Sequence, residues 1–301
     1  MPENDIAEAS LPRPSAVLEL LKPVTWFAPM WAFMCGVVSS GVSIAENWGV
    51  MLAGIVLAGP LVCAASQAAN DWYDRDVDAI NEPGRPIPSG RIPGRWGLYI
   101  ALIWSGISLV WGAMLGLPVL LATLIGVALA WAYSTPPYRL KMSGVWGPAA
   151  VAFSYEGLAW FTGAAVMLGA VPGAPVLWMV LLYSVGAHGI MTLNDFKAVE
   201  GDRAMGIRSL PVVLGVKRAA LLACAVMAVP QIAVIAFLLD WGHPWHAGGI
   251  AALLAAQLAL MPRLLRNPKE QAPWYNATGT TLSVLGMLVA AFAISGMQGV
   301  S

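Results

Sequence analysis

Residues 49–78 read GVMLAGIVLAGPLVCAASQAANDWYDRDVD. The run 49–69 carries no charge, and the nine residues after it carry Asp71, Asp74, Asp76 and Asp78. A hydrocarbon core about 30 Å thick is crossed by roughly 20 apolar residues in a helix. The run is therefore read as a membrane-crossing helix. Carboxylates at a helix C-terminus face the negative end of the macrodipole, so local stability does not account for the acids. They are read as chemistry placed at a membrane surface.

The remainder of the chain follows the same plan. Of its 301 residues, 58% are hydrophobic and 11% charged, whereas soluble domains carry about 25% charged residues. Apolar stretches fall near 24–44, 49–69, 97–116, 118–134, 147–169, 175–193, 218–239, 247–264 and 278–297. The fold class expected is all-α. It is one polytopic domain over 1–301, with about nine transmembrane helices around a central cavity open to the cytoplasmic side. Residues 1–22 are expected to form an N-terminal cytoplasmic tail. The start is acidic and proline-containing, without a basic n-region or cleavage site, so no signal peptide is expected.

Charge sets the orientation. With the N-terminus in the cytoplasm, all 16 Lys and Arg fall on the cytoplasmic side. The opposite links hold only Glu46, Asp240 and two histidines. This is the positive-inside pattern. The net charge of zero points to no nucleic-acid partner. Cys35, Cys63 and Cys224 fit no metal or disulfide spacing and read as small core residues.

The cytoplasmic links at 70–95, 133–146 and 194–218 hold most of the polar residues and are the expected active-site loops. The second apolar stretch ends in Asn70-Asp71 and the sixth in Asn194-Asp195. The fourth and eighth end in basic links. Helices 1–4 and 5–8 thus read as two copies of one plan.

In NDWYDRDVD, Asp71, Asp74 and Asp78 lie within about 60° of one another on a helix, and Asp76 points about 140° from Asp71. Three carboxylates on one stripe repel unless a cation lies among them. Mg²⁺ takes one or two carboxylates together with waters and phosphates. In NDFKAVEGD, Asp195 and Asp202 share a face if the helix continues past them. Gly201 is a potential break, and Glu200 points elsewhere. Asn70 and Asn194 are placed to bond a diphosphate oxygen or orient a carboxylate. The plain alternative is a set of solvated interface acids, and two matching motifs at equivalent helix ends weigh against it.

Arg139 and Lys141 follow Pro136-Pro137, and with Tyr133 they are candidates for diphosphate contact. Arg offers a bidentate fork and Lys a point charge. Arg85 and Lys22 carry the same potential, and ordinary membrane anchoring is the alternative for all four cations. Glu156, inside the fifth span, is a functional candidate by its depth, or else the partner of a basic loop residue. His188 is an acid/base candidate, a ligand to a tetrapyrrole's magnesium, or a hydrogen-bonded core histidine. Most of the 14 tryptophans lie near helix ends, as in an aromatic belt.

These residues resemble a known family. N-D-x-x-D-x-x-x-D after helix 2, the acidic link after helix 6 and YSTPPYRLK after helix 4 are similar to UbiA-type prenyltransferases over nearly the whole chain. Within that family, AINEPGRPIPSGRIP, NDFKAVEGDRAMGIRSLP and PWYNATGTTLSVLGML look like chlorophyll synthases, above all the bacteriochlorophyll synthases of photosynthetic bacteria. One departure is that Ala198 and Val199 fill the middle of the second motif, where many members carry another acid, which leaves Glu200 or Asp195, with Asp202, for the second metal.

The resemblance implies transfer of a geranylgeranyl or phytyl group from its diphosphate to the propionate of a chlorophyllide or bacteriochlorophyllide. It implies Mg²⁺ as cofactor, held by Asp71, Asp74, Asp78, Asp195 and Asp202. Catalysis would rest on Asp71, Asp74, Asp195, Arg139 and Lys141. Asn70, Asn194, Lys22, Arg85, Tyr133, Glu156 and His188 would be substrate contacts. The setting would be the inner, cytoplasmic or intracytoplasmic, membrane, with pigment-biosynthesis or assembly proteins as possible partners. Other acceptors (a quinone precursor or haem), a transporter and a structural role in a pigment complex are the alternatives. A transporter would hold its polar groups near the bilayer midplane, not at helix ends.

Overall fold

The computed structural model describes residues 11–297. Among them the secondary structure is helical, with a single isolated bridge between Ser143 and Arg208. The helices are α1 (Pro14–Leu20), α2 (Phe27–Ser39), α3 (Trp48–Asn81), α4 (Trp96–Met114), α5 (Leu117–Ser134) and α6 (Trp146–Leu168). They continue with α7 (Ala174–Asn194), α8 (Val199–Ala204), α9 (Leu210–Leu214), α10 (Val216–Asp240), α11 (Pro244–Arg266) and α12 (Pro268–Ala293). Among the described residues, eight helices are long and apolar enough to cross a membrane. The pair Pro14–Leu20 and Pro23–Ser39, bent by 40°, makes a ninth candidate.

The differences from the sequence reading have local causes. The expected tail 1–22 includes α1, whose Ala16 and Leu20 are buried against Ala64 and Ala68 of α3; residues 1–10 lie outside the described residues. The chain then turns at Lys22, a non-glycine in the left-handed region at φ 48°. Pro23 opens a 3-10 turn, and α2 ends at Ser39 rather than near 44. The last helix starts at Pro268, not near 278. Proline is tolerated in a first turn, and Asn267 alone joins α11 to α12. The polar residues PKEQ thus extend a helix that composition alone starts too late.

Helix α3 does not stop where its apolar run stops. It continues through the acidic motif to Asn81. Its middle, Leu57–Cys63, is a π-helical segment around Pro60, and α6 has a second one at Phe153–Leu158. Proline removes an N–H from the ladder. The carbonyl of Pro60 accepts a hydrogen bond from Trp104 Nε1 at 3.1 Å. Such single-turn widenings recur at functional sites.

Small residues set the closest crossings, as expected where helices gain by van der Waals contact in lipid. Gly36 of α2 faces the backbone of Trp160, and Gly163 of α6 faces the backbone of Phe33. The second half packs through α7 on α10 and α11 on α12, around Met227, Leu254 and Tyr275.

The links carrying the acidic and basic residues gather at one end of the bundle. Gly144 N donates to Arg208 O at 2.8 Å and Arg208 N donates to Met142 O at 3.0 Å. This joins the link after α5 to the link before α9. Lys269 Nζ bonds Glu200 Oε1 at 2.5 Å, which adds the start of α12 to the same end.

Candidate active site

A cavity of about 820 Å³ opens between α3, α5, α6 and the links at that end. Its inner wall is apolar, formed by Leu57, Ala58, Val62, Gly126, Leu129 and Leu158. Its outer wall holds Asn70, Asp74, Asp78, Arg85, Tyr133, Arg139, Lys141, Asn194, Asp195 and Asp202. Both π segments contribute to the wall, so each widened turn is turned toward the same space.

The first acidic motif is helical, as its spacing predicts. Asp76 points away, with its side chain 86% exposed. The stripe does not face the cavity uniformly, however. Asp74 and Asp78 line it, and Asp71, 2% exposed, does not. The reason is angular: Gln67, Asn70, Asp74 and Val77 centre the cavity-facing side of α3, and Asp71 lies at its edge. There Asp71 Oδ1 accepts from Lys22 Nζ at 2.6 Å and from Arg85 NH1 at 3.4 Å. Arg85 NH1 also reaches Asp78 Oδ2 at 2.8 Å, and its Nε reaches Glu82 Oε2 at 2.5 Å. Lys141 Nζ pairs with Asp74 Oδ1, and Asn70 Nδ2 donates to Asp74 Oδ2 at 2.9 Å. Lys22 thus acts from behind the wall.

The second motif is built differently. After Asn194 the chain makes a 3-10 turn, Asp195–Lys197, and α8 begins at Val199. The break comes before Gly201, which lies inside α8. Asp195 and Asp202 nevertheless both line the cavity. Glu200 is exposed and taken by Lys269, which holds its carboxyl below the usual range. Burial holds the Asp202 carboxyl above the usual range. Among the described residues neither Asp195 nor Asp202 forms an ion pair. Tyr133 lies within reach of the charges of Asp195, Asp74 and Asp202.

Arg139 lines the cavity in the left-handed region at φ 38°. Its N–H donates to Thr135 O at 3.0 Å and its carbonyl accepts from Met142 N at 2.8 Å. A bulky residue at positive φ persists only where its surroundings fix it. Its Nε is buried without an acceptor.

Besides Lys22, two expected substrate contacts lie off the cavity wall. Glu156 is buried in the π segment of α6, 8% exposed, and is not part of the cavity wall; its Oε2 has no hydrogen-bond partner, and among the described residues it pairs with no basic loop residue. The widened turn changes the helix phase, which spacing cannot foretell. His188 Nε2 meets the carbonyl of Val145 at 3.1 Å and also lies off the wall, in line with the hydrogen-bonded histidine among its alternatives. Asn194 lines the cavity, but its Oδ1 accepts from Asn276 Nδ2 at 2.9 Å.

Sequence reading missed a polar group deeper in the cavity. Gln67 Nε2 donates to the phenol oxygen of Tyr155 at 2.9 Å, and Cys63 Sγ donates to it at 3.3 Å. Gln67 lies four residues before Asp71 and seven before Asp74, so extending the acidic stripe back by one turn would have found it.

The donor set fits a divalent cation. Among the described residues no three His, Cys, Asp or Glu side chains converge on one point, but Mg²⁺ needs only one or two carboxylates when waters and phosphates complete its shell. Asp195 and Asp202 offer two carboxylates at the cavity without a cationic partner among the described residues, and Asp71 Oδ2 is a buried oxygen without a hydrogen-bond partner.

The model of the UbiA prenyltransferase family matches residues 25–295. The chain is 62% identical over 289 residues to the bacteriochlorophyll synthase 33 kDa chain of Cereibacter sphaeroides, covering 96% of each. It is 37% identical over 304 residues to the chloroplastic chlorophyll synthase of Oryza sativa subsp. japonica, covering 97% of this chain and 78% of that one. Its fold matches a UbiA homolog from Archaeoglobus fulgidus bound to GPP and Mg²⁺, with a TM-score of 0.69 at 20% identity, over 93% of this chain and 99% of the other.

Proposed function

The chain belongs to the UbiA prenyltransferase family and is a prenyltransferase, and from that premise we propose that it esterifies the propionate of bacteriochlorophyllide or chlorophyllide with a geranylgeranyl or phytyl group taken from the diphosphate. The observation that carries this reading is the pairing of opposite unmet needs in one cavity. Arg139 offers a buried donor without an acceptor, and Asp195 and Asp202 offer carboxylates without a cation. A metal–diphosphate complex supplies both the anion and the cation. The relatives' names support the choice of acceptor.

In this reading Asp195 and Asp202 at the second motif, and Asp74 and Asp78 at the first, would hold divalent cations, Mg²⁺, whose charge would neutralise the diphosphate as a leaving group. Arg139 and Lys141 direct N–H groups at the oxygens where negative charge grows as the allylic C–O bond breaks. Tyr133, among the acids, orients the same head group. The apolar inner wall receives the prenyl chain and keeps water from the allylic carbon. A propionate is ionised near neutral pH. Its oxygen attacks that carbon directly, an ester C–O bond forms, diphosphate departs, and no general base is required. The reaction takes place at the cytoplasmic end of an inner-membrane protein whose N-terminus is cytoplasmic, as its basic links suggest.

The test is incubation of the purified full chain with Mg²⁺, each diphosphate and each candidate acid, followed by mass analysis. The expected product is an ester that mild base cleaves to the free acid. A methyl-blocked propionate should give no product. Prenylation of the blocked pigment, or a product resistant to saponification, would overturn the reading.

A further inference from the structure

The charges in the cavity are stored unevenly. Each carboxylate of the first motif already has a cation: Lys22 on Asp71, Lys141 on Asp74, Arg85 on Asp78. Both Asp74 oxygens are engaged, one by Lys141 and one by Asn70. Asp195 and Asp202 have no such partner among the described residues, as the ion pairs above establish.

We propose that the first motif is a latched cation site, closed by Lys141 until the anionic donor draws that ammonium away, and that Asp195 and Asp202 bind a divalent cation before the donor arrives. The inference rests on the reading of the cavity as a metal–diphosphate site and adds an order of occupancy to it.

The physical argument is one of exchange. A divalent cation at Asp74 would sit against the Lys141 ammonium, and like charges at contact in a part-buried site repel strongly. Pulling Lys141 into a cavity without a new partner leaves both charges of the pair unmet, which is costly. A diphosphate removes both obstacles at once. It gives Lys141 an acceptor and supplies further oxygens to the entering ion. Nothing of this kind stands in the way at Asp195 and Asp202, where two carboxylates gain by taking a cation. Binding is therefore linked: the donor raises cation affinity at the first motif by the same factor by which that cation raises donor affinity.

The experiment counts bound Mn²⁺ by loss of the free-ion EPR signal, using the purified full chain in nanodiscs. Without donor, one Mn²⁺ per chain is expected. Asp195→Asn and Asp202→Asn should each weaken it at least tenfold, whereas Asp74→Asn should leave it within twofold. Geranylgeranyl S-thiolodiphosphate, which keeps the anionic head and departs slowly, should raise the count to two, and Asp74→Asn should abolish the second ion. Lys141→Met should bind two ions without the analogue; Lys141→Gln serves if the Met variant does not fold, judged by its elution and melting. Two ions on the unmodified chain without donor, no ion without donor, or a first ion sensitive to Asp74→Asn and not to Asp195→Asn would each overturn the latch. Those outcomes leave the functional reading standing. Failure of that reading has its own signature: no Mn²⁺ bound in any state, and turnover indifferent to chelator.

Discussion

Gly36 and Gly163 approach each other's helices in a reciprocal way: a Cβ on Gly36 would lie 2.0 Å from the carbonyl oxygen of Trp160, and a Cβ on Gly163 would lie 2.0 Å from that of Phe33. In both cases the obstacle is backbone, which cannot turn aside as a side chain can. Overpacking typically costs about 1–3 kcal/mol. Gly163→Ala and Gly36→Ala should therefore each lower the melting temperature in detergent and reduce folded yield. Gly106, with nothing within 4 Å of its Cβ position, is the control, and its Ala variant should melt near the unmodified protein. Equal melting of all three would mean that α2 and α6 are not tightly apposed.

Removing a carboxylate at the cavity should matter far more than removing one beside it. Asp74→Asn, Asp195→Asn and Asp202→Asn should each cut turnover roughly tenfold or more at near-normal folded yield. Asp76→Asn, at a side chain 86% exposed, should stay within about twofold, as for other exposed ion-pair residues. Steady-state assays on the four variants decide it; an Asp76 variant as impaired as Asp74 would refute the angular argument.

Acid should affect cation binding through Asp202. Burial raises its carboxyl above the usual range, so on acidification it takes up a proton before an ordinary carboxylate with a pKa of about 3.9 does. A neutral acid holds a cation poorly. Mn²⁺ affinity should be full at neutral pH, fall as pH drops through that raised value, and be accompanied by proton release on binding in mildly acidic buffer. Calorimetry in buffers of different ionisation enthalpy measures the release, which Asp202→Asn should remove or reduce.

Arg139 should control the donor rather than the acceptor. A hydrogen bond to a charged group contributes about 1.5–3 kcal/mol, so Arg139→Ala should raise the donor KM about tenfold or more while changing the acceptor KM little. Equal changes in both would assign the residue to folding of the link that its backbone bonds to Thr135 and Met142 organise.

His188 should be dispensable for chemistry. Its Nε2 is satisfied by the carbonyl of Val145, away from the cavity wall. His188→Gln should retain activity within about threefold, since an amide can keep a comparable bond. A hundredfold loss in a folded variant would bring the histidine into the reaction.

The spans and the first motif were legible because their signals are periodic and local. Uncharged runs of membrane length marked the spans, and the spacing of Asp71, Asp74 and Asp78 gave both the helix and the outward turn of Asp76. The second motif was only half legible. Its two acids were identified, yet the chain brings them together through a 3-10 turn and a short helix rather than along one helix face. A π turn shifts the face on which each residue emerges, so spacing left Tyr155 unread and gave no sign that Glu156 lies off the cavity wall. The pairing of Lys141 with Asp74, 67 residues apart, is tertiary and leaves no trace in spacing. So is the seam between Met142, Gly144 and Arg208, which binds the link after α5 to the one before α9.

The π segment at Leu57–Cys63 acts as a phase setter for α3. Residues before it pack against α2, where Gly54 meets the ring of Phe33, whereas residues after it must aim Gln67, Asn70 and Asp74 at the cavity. At 3.6 residues per turn, one residue more or fewer in a helix rotates everything beyond it by roughly 100°. A π turn takes up about one residue more than an ordinary turn, so a change within 57–63 that let the same residues wind as a regular α-helix would rotate the rest of α3 by about that angle. The acidic stripe would then swing out of the cavity with every carboxylate still present in the chain.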